Sequence, residues 1–221
     1  MARAPGTRNA DFEETRTELV RRIRARLLQP DGARVSFREL ATAAGVGTTT
    51  LRHYFGTRNG AVRAVLDATH AEGARYLLIV TQPPTLPLRE SLHLLSSMVL
   101  IGMRQGLGVV HAFGLAAGLQ EPELGPAYLD RVLEPTQQAF EAHLAHHLAR
   151  GALRPDVDLR LAALQLLAPL LLAALHQREL GGERCRPLDL DAILAPHLDA
   201  WLRAWAAPQT QAPPGSDGAK R

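Results

Sequence analysis

Between Val35 and Phe55 the chain reads VSFRELATAAGVGTTTLRHYF, which gathers hydroxyls, an imidazole and a guanidinium into one short polar face. Ser36 and Glu39 stand three apart, the spacing of a capping box. The Ser36 oxygen accepts from the Glu39 amide and the Glu39 carboxylate accepts from the Ser36 amide, so a helix is predicted to start at Phe37. Phe37, Leu40 and Ala41 give that helix an apolar face, and Ala44 permits close approach of a second helix. Gly45 suits the left-handed conformation that ends a helix in a tight turn. A second helix, from about Gly47 to Tyr54, turns Val46 and Leu51 inward and Thr48, Thr49, Arg52 and His53 outward. Hydroxyls and helix N-termini suit phosphate oxygens, and a guanidinium can pair with guanine O6 and N7 in the major groove. The chemistry indicated is recognition of DNA.

Other reactive residues point elsewhere. His143 and His147 are one turn apart and could share a metal, but the carboxylate nearest them on the helix, Glu141, faces away. His143, His146 and His147 therefore read as a polar helix face, and no metal is expected. Cys185 lies between Arg184 and Arg186, which would lower a thiol pKa, yet it reads as an incidental surface cysteine. A single cysteine excludes an internal disulfide framework. No Ser-His-Asp set or Gly-rich phosphate loop stands out, so neither enzymatic activity nor a cofactor is expected.

These residues must be positioned by helices, because apolar positions recur at helical spacing along nearly the whole chain of 221 residues and no alternating strand pattern competes. The expected class is all-α. Breaks at Gln29–Gly32, Gly45, Gly56, Gln82–Thr85, Gly106, Glu121–Pro126, Gly151–Pro155 and Gly181–Pro187 divide it into about nine helices. Charge divides it too. Residues 1–76 hold 13 Arg against 8 acidic residues, whereas residues 77–221 hold 12 basic against 14 acidic. That is the balance of a DNA-binding module on a body that does not bind DNA. Arg21, Arg22, Arg24 and Arg26 on the first helix read as a solvated face adding general attraction. The expected organisation is a disordered arm over 1–10, a three-helix helix-turn-helix domain over 11–81, a helical ligand-binding and dimerisation domain over 82–207, and a disordered tail over 208–221. With no signal peptide and no run of roughly 18 uninterrupted apolar residues, a cytoplasmic location and no membrane association are expected.

The segment closely resembles the signature of the TetR family, in which a similar sequence ends in an aromatic box followed by a Ser/Thr-Lys/Arg pair. Here those positions are His53-Tyr54-Phe55 and Thr57-Arg58, and the resemblance covers residues 12–75. The phrase Gly151-Ala-Leu-Arg-Pro-Asp-Val-Asp158 similarly precedes the penultimate helix of many members. The resemblance implies that Tyr54 and Arg58 contact phosphates, that Ser36 touches the backbone, and that Thr48, Thr49, Arg52 and His53 meet base edges. For Tyr54, packing against the first helix is the rival reading. Many members have Ser-Lys-Gly-Thr-Leu-Tyr where this chain has Gly47-Thr-Thr-Thr-Leu-Arg52. The loss of one cap and one cation means the usual contacts cannot be copied at Gly47 and Thr48.

In the body, the helix from Leu159 to Leu180 is apolar around most of its circumference, and Asp191 to Trp205 carries a broad apolar stripe. A helix that is apolar all round must be covered on two sides, so Leu164, Leu171, Leu175, Leu194, Leu198, Trp201 and Trp205 are expected at a homodimer interface. The family's dimer is similarly a four-helix bundle of the last two helices of each subunit. Methionines and a high density of glycines in the middle helices suggest room for an apolar effector among His93, Met98, Met103, His111, Phe113, Tyr128 and Phe140. The function expected is a repressor released from an inverted-repeat operator in double-stranded DNA by a small, largely apolar molecule. The alternative is an all-helical enzyme or small-molecule carrier with an incidental hairpin.

Overall fold

The computed structural model describes residues 5–208, all of them helix, turn or loop apart from one isolated bridge. The segments expected to be disordered at 1–4 and 209–221 lie outside the described residues. Eleven α-helical segments follow one another: α1 (Pro5–Leu27), α2 (Phe37–Ala44), α3 (Thr48–Phe55), α4 (Arg58–Val80), α5 (Leu88–Gly102), α6 (Gly108–Gln120), α7 (Leu124–Tyr128), α8 (Glu134–Ala149), α9 (Leu159–Ala174), α10 (Gly182–Cys185) and α11 (Leu190–Trp205). The count exceeds nine for two reasons. α7 and α8 are separated only by a π turn, Leu129–Leu133, and α10 is a single turn. Helix α1 begins inside the expected arm, at Pro5, since proline at a first helical position gives up an amide that has no partner there anyway.

The capping box at Ser36 forms in full, and Gly45 takes the left-handed conformation at φ 72°. Thr57 caps α4 by accepting from the Gly60 amide. α4 is shared between the two halves. Its first turns bury Ala61, Val62, Val65 and Leu66 against Leu19, Ile23, Leu27, Leu40 and Leu51. The same core continues into Val110, Phe113, Leu124, Tyr128 and Val132 of the body. The hydrophobic core therefore crosses the expected boundary at 82. A second core, built on Leu92, Phe140, Leu144, Leu166, Leu170, Leu194, Leu198 and Trp201, holds α5, α8, α9 and α11 together.

Two expectations about the body are corrected. Leu194, Leu198 and Trp201 were expected at a partner interface, but they are buried within their own chain, and so is Leu175. The reason is an unmet donor: the Trp201 indole donates to the Ala162 carbonyl at 2.8 Å, turning that face of α11 onto α9. Trp205, half-buried, donates to Gln165 Oε1 at 2.9 Å. What α9 leaves outside is Leu161, Leu164, Ala168 and Leu172, at one helical spacing, with Leu171 half-buried beside them. The glycines of α6 do not open space. A Cβ at Gly114 would sit 2.2 Å from the Tyr128 ring, and one at Gly118 would sit 3.0 Å from Gly125, so these residues admit α7 at close range. Two helical stretches, Leu88–Gln120 and Leu159–Glu179, are long and apolar enough to cross a membrane by length and composition. Both furnish residues to the second core.

Candidate nucleic-acid interface

The hairpin of α2 and α3 is held from behind by Leu40, Ala41, Ala44 and Leu51, all buried, which fixes what the other face can present. Ser36, Gly47, Thr48, Thr49, Arg52 and His53 are all exposed, and Thr50 joins them. Gly47 provides the N-terminal boundary of α3 in extended conformation with no side-chain cap, so the first amides of that helix keep no side-chain partner. The Ser36 hydroxyl is engaged locally, donating to Glu39 Oε2 at 2.6 Å. This contact and the Ser36 amide hold the Glu39 carboxyl below its ordinary range.

The guanidinium groups fall into two sets. On α1, Arg21 and Arg22 both bind Glu18 at 2.7 Å and hold its carboxyl down to about 2. Arg26 pairs with Asp31 at 2.7 Å and Arg24 with Glu72 at 2.5 Å. Arg22 also donates to the Ala44 carbonyl at the end of α2. This face was expected to be solvated attraction, and its charge is largely neutralised internally. Beside the hairpin, by contrast, Arg34, Arg38 and Arg52 are exposed, and among the described residues none of their guanidinium groups meets an acceptor. Arg34 and Arg38 were missed in the sequence. Spacing marks a helix face but not which cations a carboxylate will claim.

Arg58 does not stand where the resemblance put it. Its guanidinium turns inward, donating to the Val35 carbonyl at 2.6 Å, the Ala33 carbonyl at 2.5 Å and Asn59 Oδ1 at 3.4 Å. Those carbonyls end the 3-10 turn Gly32–Arg34 just before α2, and the half-buried Arg58 cation satisfies them. Arg58 thus fastens the loop that positions Ser36. Tyr54 follows the packing alternative for its ring, which is half-buried and stacked on Phe12 at 4.6 Å.

The seven residues considered for effector contact do not share one cavity. His111, Phe113 and Tyr128 meet in the first core, where the Tyr128 hydroxyl donates to His111 Nδ1 at 2.7 Å. Burial pushes His111 down to about 4 and Tyr128 upward, so both remain neutral around pH 7. Met103 packs with Ala174 and Leu190, and Phe140 lies in the second core. His93 lines a cleft of about 300 Å³ between α5 and α11 with Arg89, Glu90, Ala195 and Leu198, and Met98 stays exposed on α5.

The polar row on α8 has a different use. The His143 Nδ1–H donates to the Val80 carbonyl at 3.0 Å, His146 to the Thr81 carbonyl at 3.1 Å and Arg150 to the Pro84 carbonyl at 2.5 Å. With Nδ1 protonated, neutral His143 offers Nε2 as an acceptor 3.2 Å from the Ser91 hydroxyl, whose proton it shares with the Leu88 carbonyl at 3.1 Å, and Ser91 in turn accepts from the His147 Nε2–H at 2.8 Å. These groups clasp the end of α4 and its linker to α8. Among the described residues no group of three or more metal-ligating side chains occurs.

The comparisons with known proteins agree with this architecture. Residues 82–188 match the model of the family described as tetracyclin repressor-like, C-terminal domain. No curated protein matches the sequence. A TetR-family transcriptional regulator from Mesorhizobium loti is similar in structure at a TM-score of 0.73 and 19% identity, over 89% of this chain and 98% of that one. SmeT, the repressor of the Stenotrophomonas maltophilia multidrug efflux pump SmeDEF, matches at 0.64 and 18%, over 90% and 93%. The fatty acid degradation regulator FadR from Bacillus halodurans matches at 0.60 and 19%, over 91% and 97%. Residues 82–188 therefore belong to the tetracyclin repressor-like C-terminal domain family, and the chain as a whole takes the fold of the TetR-family transcriptional regulators.

Proposed function

We propose that the protein is a homodimeric DNA-binding repressor that leaves its operator when a small, largely apolar molecule binds the body. The observation that carries the DNA reading is the set of three exposed guanidinium groups, Arg34, Arg38 and Arg52, which meet no acceptor among the described residues and flank the hydroxyls of Ser36 and Thr48–Thr50. Elsewhere on the same domain Arg21, Arg22, Arg24 and Arg26 are held by three carboxylates and Arg16 and Arg75 lie over the rings of Phe55 and Tyr76, so the three without such partners mark the face left for an external polyanion. One half-site per hairpin requires two hairpins, and the exposed Leu161, Leu164 and Leu172 on α9 supply an apolar face for a second copy. SmeT, which is similar in fold, is a repressor of an efflux pump.

The test is to select duplexes from a random pool and measure binding of the full chain by gel shift, with sedimentation in parallel. An inverted repeat should emerge, and Arg52→Ala should cost about 1–3 kcal/mol at that sequence and relax one position per half-site. Leu164→Glu should convert a dimer to a folded monomer, whereas Trp201→Glu should unfold the chain. Failure to enrich any sequence, or a monomer that binds a palindrome tightly, would remove the repressor reading.

A further inference from the structure

The first turns of α1 carry a phenylalanine in an acidic setting, Asp11-Phe12-Glu13-Glu14, with those three carboxylates exposed. Phe12 lies nearly two turns before Leu19, the first residue of α1 in the hydrophobic core, so that core does not require it. Its ring instead stacks on Tyr54 with centroids 4.6 Å apart and planes 23° apart. The same ring meets His53 edge-on at 5.8 Å and 87°. One turn further along the same face, the Arg16 guanidinium sits over the Phe55 ring at 5.8 Å. All three residues of the His53-Tyr54-Phe55 box at the end of α3 are therefore touched by α1.

We propose that Phe12 is a positioning residue for sequence reading: its ring fixes the side chains of Tyr54 and His53 in the orientation in which α3 presents them to DNA. The inference rests on the DNA-binding reading above. The carboxylates beside Phe12 would repel phosphate, so this turn of α1 acts through α3 and makes no contact of its own with the polyanion. Stacked and edge-to-face aromatic contacts restrict ring rotation, and an exposed imidazole or phenol freed from them samples several rotamers. Fixing those rotamers before binding removes an ordering cost that would otherwise be charged against the correct sequence.

The experiment uses the full chain, the duplex selected from a random pool and a scrambled duplex of equal length. Phe12→Ala should lower affinity for the selected duplex about tenfold while affinity for the scrambled one changes less than about twofold. Phe12→Leu, which keeps apolar bulk without a ring, should show most of the same loss, and Phe12→Tyr should restore binding. Thermal midpoints of all three should stay near that of the parent. In a Tyr54→Ala background, Phe12→Ala should add little, since the partner ring is already gone. Equal losses on both duplexes, full additivity with Tyr54→Ala, or an unchanged Phe12→Ala each overturns the positioning role while leaving the DNA reading intact. A parent protein with no preference between the duplexes overturns both.

Discussion

The two ends of α4 are held in opposite ways. Near its start, Arg63 pairs with Glu123 at 3.1 Å and Asp67 with Arg131 at 2.8 Å, with every partner about half exposed. His70 adds a bond to the Arg131 carbonyl at 3.2 Å. At its end, the clasp of His143, His146, His147, Ser91 and Arg150 holds backbone carbonyls through mostly buried, neutral groups. Exposed ion pairs contribute little and are screened by salt, whereas buried hydrogen bonds are costly to leave unmade. The contrast teaches which end answers to salt and which to acid. The start of α4 adds salt-screened ion pairs to the buried apolar contacts of Ala61, Val62, Val65 and Leu66, and its end relies on buried hydrogen bonds.

The comparison breaks most visibly if the clasp is cut. His143→Leu strands the Val80 carbonyl and takes one acceptor from the Ser91 hydroxyl, which keeps the Leu88 carbonyl, and should cost about 2–4 kcal/mol, or about 5–12 °C in thermal midpoint. A midpoint within about 2 °C of the parent would mean that the end of α4 is held by something else.

Acid sharpens it next. Burial lowers His143, and lowers His111 and His147 to about 4, from an ordinary value of 6.5. Among the described residues, the charged or titratable groups acting on His143 and His147 are the other histidines of the row and Arg150, which push in the same direction. Each folded-state value lies below the unfolded one, so the unfolded chain binds more protons between them. The stability is fully present above pH 6.5 and drains away as pH falls toward about 4, with on the order of 1–3 kcal/mol at stake per imidazole. Thermal midpoints should be flat from pH 8 to 7 and fall between about pH 6 and 4. His147→Gln should flatten part of that slope, leaving the shares that belong to His111 and His143.

The smallest effects belong to the hairpin end of α4. Arg131→Gln and Arg63→Gln should each cost less than about 1 kcal/mol at low salt and nothing measurable near 1 M salt. His143→Leu should lose the same amount at both salt concentrations. If the Arg131 variant is as damaging as the clasp variant, the contrast between exposed ion pairs and buried hydrogen bonds does not hold.

Much of this was legible in the sequence because it depends on neighbours in the chain. The Ser36/Glu39 box, the Gly45 turn and the inward Leu51 follow from spacing alone, and each formed as expected. What depends on distant partners was not legible. Apolar periodicity says that Leu198 and Trp201 are covered but not by which chain, and here their own α9 covers them. Glycines on α6 allow either a cavity or a close approach, and the Tyr128 ring took the second option. Arg58 and Arg38 are chemically identical in the sequence. Only the fold shows that one reaches backbone carbonyls while the other faces solvent.

Gly106 joins α5 to α6 at φ 114° and ψ −8°, yet nothing lies within 4 Å of where its Cβ would be. The demand for glycine there is one of handedness, since the space where an L-residue's methyl group would stand is open. An L-residue placed at this joint carries a penalty of about 1–2 kcal/mol, while its mirror image, D-alanine, reaches a positive φ more readily and should carry less. The bend in the long α5–α6 rod is therefore a stereochemical instruction, written by the absence of a chiral centre at a single position.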